Sequence, residues 1–517
     1  MNYVCKKHSV FVLIIVLVLA SVLSADVRLP SIISDNMVLQ QGKSVPIWGW
    51  ADPCETVTVT GSWGSGKWEA TADQDGKWKV KIDSGKAGGP YEMTVAGKNT
   101  VTVKNILVGE VWVCSGQSNM EFTVKQAKNS AQEIADANNY PQIRQFLVGR
   151  KVIYTPMYNC GGKWQVCSAQ TAGNFTAVGY FFGRELNKQL NVPVGLIHTS
   201  WGGTPAESWM SKEYLENDPN FQPILKRFEE VSANYPESKK KYQVEKQQYD
   251  SIVPKLRAEG KPLPPRPEEP IGPGHQYSPT GLYNGMIVPI IPYGIHGAIW
   301  YQGESNAWRA YQYRTLFPAM IKNWRDAWGQ GNFPFLFVQL ANYMEPEPQP
   351  VESDWAELRE AQLMTLSVPN TGMAVAIDIG EPDIHPKNKQ DVGKRLALWA
   401  LAKTYGKNIV YSGPIYKSMK VDGNKAILTF DNVGGGLMAK GDLLKGFAVA
   451  GTDKKFVWAD AKIEDNTVVV SSDKVSAPAA VRYAWEKNPV CNLYNKEGLP
   501  ATPFRTDTWP GVTDSRR

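Results

Sequence analysis

From Val27 to about Leu107 apolar and polar residues alternate in short runs, VPIWGW, TVTVTGSW, KWEATA, KWKVKI, YEMTVAG and TVTVKNI, broken by turn text such as DQDGK and GKAGG. A period of two puts one face of each run in a core, and short strands at this spacing predict a β-sandwich. The rhythm changes at VGEVWVCSGQSNM, where an unbroken apolar run, as a strand buried on both faces requires, stops at Gly116. VGYFF and GRELNKQL then read as a helix, and VPVGLIHTSWGG as the next buried strand. HGAIWYQGES, FPFLFVQLANY and AVAIDIG are further strands, with FPAMIKNWRDAW, AELREAQLMTL and QDVGKRLALWALAKTYG as helices beside them. Buried strands alternating with helices predict a parallel α/β sheet.

Residues 212 to about 275 interrupt this sheet with a charged, Tyr-rich helical stretch followed by KPLPPRPEEPIGPG. They read as an insertion, either a rim over a site or a surface excursion. Short strands return after Lys407 in KAILTF, GFAVAG, TVVVSS and AVRYAW. The expected organisation is a leader over 1–25, a β-sandwich over 26–107, an α/β domain over 108–406 carrying the insertion, and a β-rich unit over 407–517.

The amino-terminal pattern adds a destination. Lys6 and Lys7 precede the apolar run Val10 to Leu23, which ends in Ser24 and Ala25, the form of a secretory signal peptide cleaved near Ala25. That run is shorter than the roughly 20 residues of a membrane span. The expectation is an exported protein with no membrane attachment after cleavage. Cys54, Cys114, Cys160, Cys167 and Cys491 then meet an oxidising compartment, where Cys160 and Cys167 could close a local disulfide and Cys114 reads as a buried small hydrophobe.

Length and charge narrow the field little further. The 517 residues exceed one core. A net charge of +6, with no dense basic run interleaved with aromatics, argues against a nucleic-acid partner. The 18 Trp suit either sugar stacking or ordinary packing.

In an open parallel sheet chemistry gathers at the carboxyl ends of the strands. Four such ends carry polar, glycine-containing text: SGQSN at 115–119, TSWGGTP at 199–205, YQGESNA at 301–307 and GEPDIHPKN at 380–388. Ser118 fits a nucleophile leaving its strand on a tight turn; its plain alternative is the N-cap of a helix. Met120 rules out the Gly-x-Ser-x-Gly elbow. Among the five His, His198 and His296 belong to apolar strands and His275 to the insert, whereas His385 stands in a turn two residues after Asp383, a carboxylate able to fix its tautomer. The N–H of Ser118, the N–H groups of Gly202 and Gly203, and an amide of Gln302 or Asn306 are candidate oxyanion donors. Trp201, Trp300, Tyr301 and Trp308 could line a sugar site, with packing inside the sheet as the equal alternative for Trp300 and Tyr301, and Arg359 with Gln362, one helical turn apart, could reach it or merely face solvent.

Serine, glycine, amide and histidine blocks in this order resemble the SGNH (GDSL-like) hydrolases, and the wording resembles the sialate O-acetylesterase family of carbohydrate esterases. RLPSIISDNMVLQQ, VPIWGW, VWVCSGQSNMEF, SWGGTPAESW, LYNGMIVPI, IWYQGESNA, FPAMIKNWR, LREAQ and IHPKNKQDVGKRLA carry the likeness from about Val27 to beyond Lys403. The resemblance implies a flavodoxin-like three-layer α/β/α domain flanked by β units and a serine mechanism without metal or cofactor. It makes Ser118 the nucleophile, His385 the base, Gly203 an oxyanion donor and the Gln302–Asn306 loop the third block. Two departures stand out: the third block usually reads Gly-x-Asn-Asp where this chain has Glu304, Ser305 and Asn306 after Gly303, and Pro382 occupies the usual aspartate position three before His385. Asp383, Asp378, Glu304 or a backbone carbonyl therefore remain as partners for the imidazole. The implied activity is removal of O-acetyl groups from a sugar, with sialic acid or an acetylated plant glycan such as xylan as substrate. A carbohydrate-binding protein on the same frame, without catalysis, is the rival.

Overall fold

The structure is a computed structural model and describes residues 26–517; the leader expected over 1–25 lies outside the described residues. Its organising element is the strand Thr100–Gly116, whose first half pairs antiparallel with Gly88–Ala96 of the amino-terminal β unit and whose second half enters a parallel sheet. No residue breaks it, and from Ile106 onward every side chain is engaged in the core except at glycine. The two units thus meet through one continuous strand, with position 107 in its middle.

The central sheet runs in the order Thr371–Val375, Phe335–Gln339, Gly297–Tyr301, Thr100–Gly116, Val194–Ser200, Ile143–Leu147, all parallel, with Trp164–Val166 antiparallel at the edge. Every residue of Gly297–Tyr301, Phe335–Gln339 and Val194–Ser200 is buried, which explains their continuous apolar text. Helices cover both faces. Trp112, on one face, packs edge-on against Phe182 of the helix Ala177–Leu190, and Trp300, on the other, stacks with Phe317 and meets Trp324 edge-on, both from the helix Ala310–Trp328. Lys389–Trp399 packs beside the first of these helices and Asp354–Met364 beside the second. The result is the expected three-layer α/β/α arrangement.

Two segments differ from their reading. AVAIDIG is extended only to Val375; Asp378 is drawn instead into a paired contact with Arg395 at 2.6 and 2.8 Å, and the chain turns away. Cys160 and Cys167 are free thiols rather than a disulfide. Gly149 N–H donates to the Gly161 carbonyl and Cys167 N–H to that of Ile143, so the two cysteines sit at opposite ends of an extended segment, about 20 Å apart at strand rise. Burial pushes both thiols up to about 12.

The insertion is dominated by one helix, Gln222–Ala258, of whose residues only Ile224 and Val253 are buried. Its charged sequence is thus that of a helix solvated on most sides. The carboxyl-terminal region forms antiparallel sheets, Ile415–Asp422 with Lys425–Asp431, Thr467–Ser471 and Asp460–Glu464 in one, and Phe447–Ala450 with Ala480–Tyr483 in another. Among the described residues no helix is long and apolar enough to cross a membrane.

Candidate active site

Register puts the first three polar loops at one level, because Gly116 pairs with Ser200 on one side and with Tyr301 on the other. At Gly116 φ is +134° and a Cβ would lie 2.1 Å from the Tyr301 carbonyl oxygen, so only glycine lets the neighbouring strand come this close. The chain then turns through a short helical segment, Ser118–Glu121, and presents Ser118. Neither the Ser118 N–H nor the Gly203 N–H has a partner among the described residues.

The fourth loop brings the histidine across. His385 Nε2 lies 2.9 Å from Ser118 Oγ. On the other side of the ring, Asp383 Oδ1 is 3.2 Å from Nδ1 and also accepts the His385 backbone N–H at 2.7 Å. Both side chains reach solvent, at 36% for His385 and 69% for Asp383, so the contact between carboxylate and ring is screened by water. The Phe122 ring stacks on the imidazole with centroids 6.4 Å apart. Asp378, engaged by Arg395 and by the Tyr494 hydroxyl at 3.1 Å, is not the partner of His385.

The other histidines are accounted for elsewhere. His198 bonds the Ser200 hydroxyl at 2.6 Å, and burial pulls its imidazole down to about 3, keeping it neutral. His296 faces Glu110, and His275 lies in the loop after the insertion helix.

Gly203 stands at φ +76° with its carbonyl held by the Ser305 hydroxyl at 2.6 Å. The N–H of Gly202, by contrast, donates to Glu121 at 2.6 Å and is not free for an oxyanion. Glu121 is also paired with Arg150, whose guanidinium lies 5.4 Å over the ring of half-buried Trp201. This charged pair and its indole form one rim of the site.

Three expected site residues are placed otherwise. Gln302 donates to the Thr204 carbonyl at 3.2 Å and to Asn306 Oδ1 at 2.6 Å, and accepts from the Tyr313 hydroxyl at 2.9 Å. Asn306 holds the Ala206 N–H at 3.0 Å and donates to Glu207 at 3.1 Å. Both amides are fully buried, so they brace the loops beneath the site and do not serve as oxyanion donors. Arg359 is wholly buried and donates to the carbonyls of Leu340, Ala341, Glu486 and Lys487 at 2.7–2.9 Å. It therefore fastens the carboxyl-terminal unit to the sheet and is unavailable to substrate. Its neighbour Gln362 likewise bonds Leu340, Gln302 and Val338 main-chain groups.

Glu304 makes no ion pair with His385; its Oε1 accepts from Asn119 at 2.7 Å, and burial raises its carboxyl. Trp300 and Tyr301 are buried packing residues, whereas Trp308 is exposed. Trp308 lines a cavity of about 250 Å³ beside Gly203, together with Ser305, Tyr277 and, from the insertion helix, Ile224, Arg227 and Phe228. The insertion thus supplies one wall of the space next to Gly203.

Sequence reasoning overlooked Asn119, Phe122 and Lys389. Lys389 had left a signal: it opens the helix Lys389–Trp399, and a cation at a helix amino terminus is electrostatically unfavourable without another use.

The arrangement of serine, imidazole and carboxylate is one for acyl transfer, and similarity agrees with it. The family model for carbohydrate esterases described as sialic acid-specific acetylesterases matches residues 108–250 and 276–402. The chain is 33% identical to the sialate O-acetylesterase of Mus musculus over 92% of its own length and 94% of that protein. With that of Homo sapiens it shares 31% identity over 96% and 98%. The crystal structure of a carbohydrate acetylesterase from Xanthomonas citri superposes with a TM-score of 0.80 at 39% identity, covering 94% of this chain and all of the other. The chain belongs to the sialic acid-specific acetylesterase family of carbohydrate esterases, carboxylic ester hydrolases that remove O-acetyl groups from sugars.

Proposed function

We propose that the chain is an exported serine O-acetylesterase working through an acyl-enzyme on Ser118. The carrying observation is the 2.9 Å contact between Ser118 Oγ and His385 Nε2. His385 takes the hydroxyl proton as Oγ attacks the acetyl carbonyl, and Asp383 on Nδ1 holds the tautomer that leaves Nε2 free to accept it. The N–H groups of Ser118 and Gly203 receive the charge developing on the carbonyl oxygen. His385 then returns the proton to the sugar alcohol as it leaves, and water, deprotonated by the same imidazole, releases acetate. The cavity between Gly203 and Trp308 takes the sugar, for which an exposed indole offers a stacking face.

The relatives named sialate O-acetylesterases favour an O-acetylated sialic acid. A neutral acetylated glycan is the second reading, favoured by the pairing of Arg150 with Glu121 at the Trp201 rim and by Ile224 and Phe228 on the insertion wall, whereas Arg227 on the same wall favours an acid. Export is supported by the basic and apolar run from Lys6 to Ala25. Amino-terminal sequencing of protein from the periplasm or medium tests it, with a start near residue 26 expected.

The test of mechanism is Ser118→Ala, expected to fold as the parent and to lose at least about 10³-fold in turnover of p-nitrophenyl acetate. Parental turnover would remove Ser118 from the chemistry. Acetate release measured side by side from O-acetylated sialic acid and from acetylated xylan decides between the substrates.

A further inference from the structure

Beneath the Ser118 and His385 pair lies a buried ammonium that the chemistry described so far does not use. Lys389 Nζ donates to Asn119 Oδ1 at 2.6 Å and to the Pro386 carbonyl at 2.7 Å. It also lies 4.7 Å from the centroid of the Phe122 ring and 5.5 Å from that of Tyr301. Asn119, its orientation set by that donor, gives its own N–H groups to Glu304 Oε1 at 2.7 Å and to the Ile384 carbonyl at 3.0 Å.

Apart from Tyr301 and Glu304, each partner is a neighbour of the reacting pair. Asn119 follows Ser118; Ile384 and Pro386 flank His385; Phe122 is the ring stacked on the imidazole. The ammonium therefore joins the serine turn to the histidine loop, which come from strands separated by two others in the sheet. Two oxygens and an aromatic face converging on one nitrogen match an ammonium, with its three protons, and no apolar side chain. Lys389 is fully buried, a position a lysine leaves unless its charge is matched. The carboxylates acting on it are Glu304, Glu381 and Asp383, and burial outweighs them, drawing its amine down to about 7.

We propose that Lys389 is a positioning residue of the esterase reaction, holding the Ser118 turn and the His385 loop at reacting distance through Asn119, Pro386 and Phe122. This rests on Ser118 and His385 being nucleophile and base. Such a role predicts loss of rate with little loss of binding, because a displacement of the order of 1 Å between reacting groups costs about 10²-fold.

Lys389→Met, Asn119→Asp and the double variant of the full chain are compared with the parent on p-nitrophenyl acetate, with a thermal unfolding scan of each. Asn119→Asp keeps the side-chain volume but turns the donor facing Glu304 and Ile384 into an acceptor. Each single variant is expected to lose about 30-fold or more in kcat, with KM within about threefold of the parent. The double variant is expected to be no slower than the slower single, as for two groups acting through one bond. Parental kcat in the folded protein, or losses that multiply, overturns the proposal. Should Lys389→Met show no cooperative unfolding transition, Asn119→Asp decides alone by the same criterion. Ser118→Ala keeps the two readings apart: parental activity there removes the esterase mechanism, whereas its inactivity beside a fully active Lys389→Met removes only the role of Lys389.

Discussion

Gly116 and Tyr301 face each other across two strands so closely that a methyl group on Gly116 would lie 2.1 Å from the Tyr301 carbonyl oxygen. The same carbonyl accepts the Gln117 N–H at 2.9 Å, so the approach sets the exit of the chain toward Ser118. Gly116→Ala meets both a backbone clash and a positive φ, and is expected to cost about 2 kcal/mol or more. Urea unfolding and esterase assay both read this; an unchanged unfolding midpoint with full activity would show that the strands are not held at this distance.

Asp383 lies beside His385 Nδ1 in a position open to water. Its replacement by Asn keeps an oxygen for the His385 backbone N–H but removes the charge beside Nδ1. Asp383→Asn is expected to lower kcat by about 10–100-fold, short of the roughly 10⁴-fold loss known where a triad carboxylate is buried. A kcat equal to the parent's would mean that another acceptor holds the ring.

Arg359 discriminates a structural from a catalytic assignment. Arg359→Met strands the carbonyl oxygens of Leu340 and Glu486 and takes one of two donors from those of Ala341 and Lys487, and is expected to destabilise by about 3 kcal/mol or more. The kcat of the folded fraction, measured well below the unfolding midpoint, is expected to match the parent. Lost turnover with parental stability would return Arg359 to the site.

The depressed amine of Lys389 carries a pH signature of stability. The folded state releases its proton near pH 7, the unfolded chain only near pH 10, so between these values the unfolded state binds more protons and stability rises with pH. Relative to Lys389→Met, the unfolding free energy of the parent is expected to increase from pH 7 to 10, by on the order of a few kcal/mol. Below pH 7 the difference should be flat. A parent that loses stability against the variant over this window contradicts the placement of the amine.

Much of this molecule was legible in its text. Unbroken apolar runs ending in glycine announced the buried parallel strands, and alternating runs announced the flanking β units, because side-chain period reports how many faces of a strand are covered. That Ser118, His385 and Asp383 would meet was legible because strand ends are where polar, turn-making residues have no structural reason to cluster. The Gln302 and Asn306 amides looked equally eligible from sequence, since a side chain pointing into a site and one pointing beneath it are one rotamer apart. Arg359 misled for a related reason: a buried arginine satisfied by carbonyl oxygens leaves no mark in residue types, because every residue carries that acceptor.

By itself, then, the sequence determined the layering, the order of the polar strand ends and which serine and histidine stand at them, all properties of local pattern. Only the tertiary structure decided which polar groups remain free. The Gly202 N–H is taken by Glu121 and that of Gly203 is not, Cys160 and Cys167 are held apart by the extended chain between them, and Lys389 reaches Asn119 from 270 residues away. Hydrogen-bond partners of this kind are set by which loops the closed sheet brings to one edge, a relation between distant segments that no local spacing encodes.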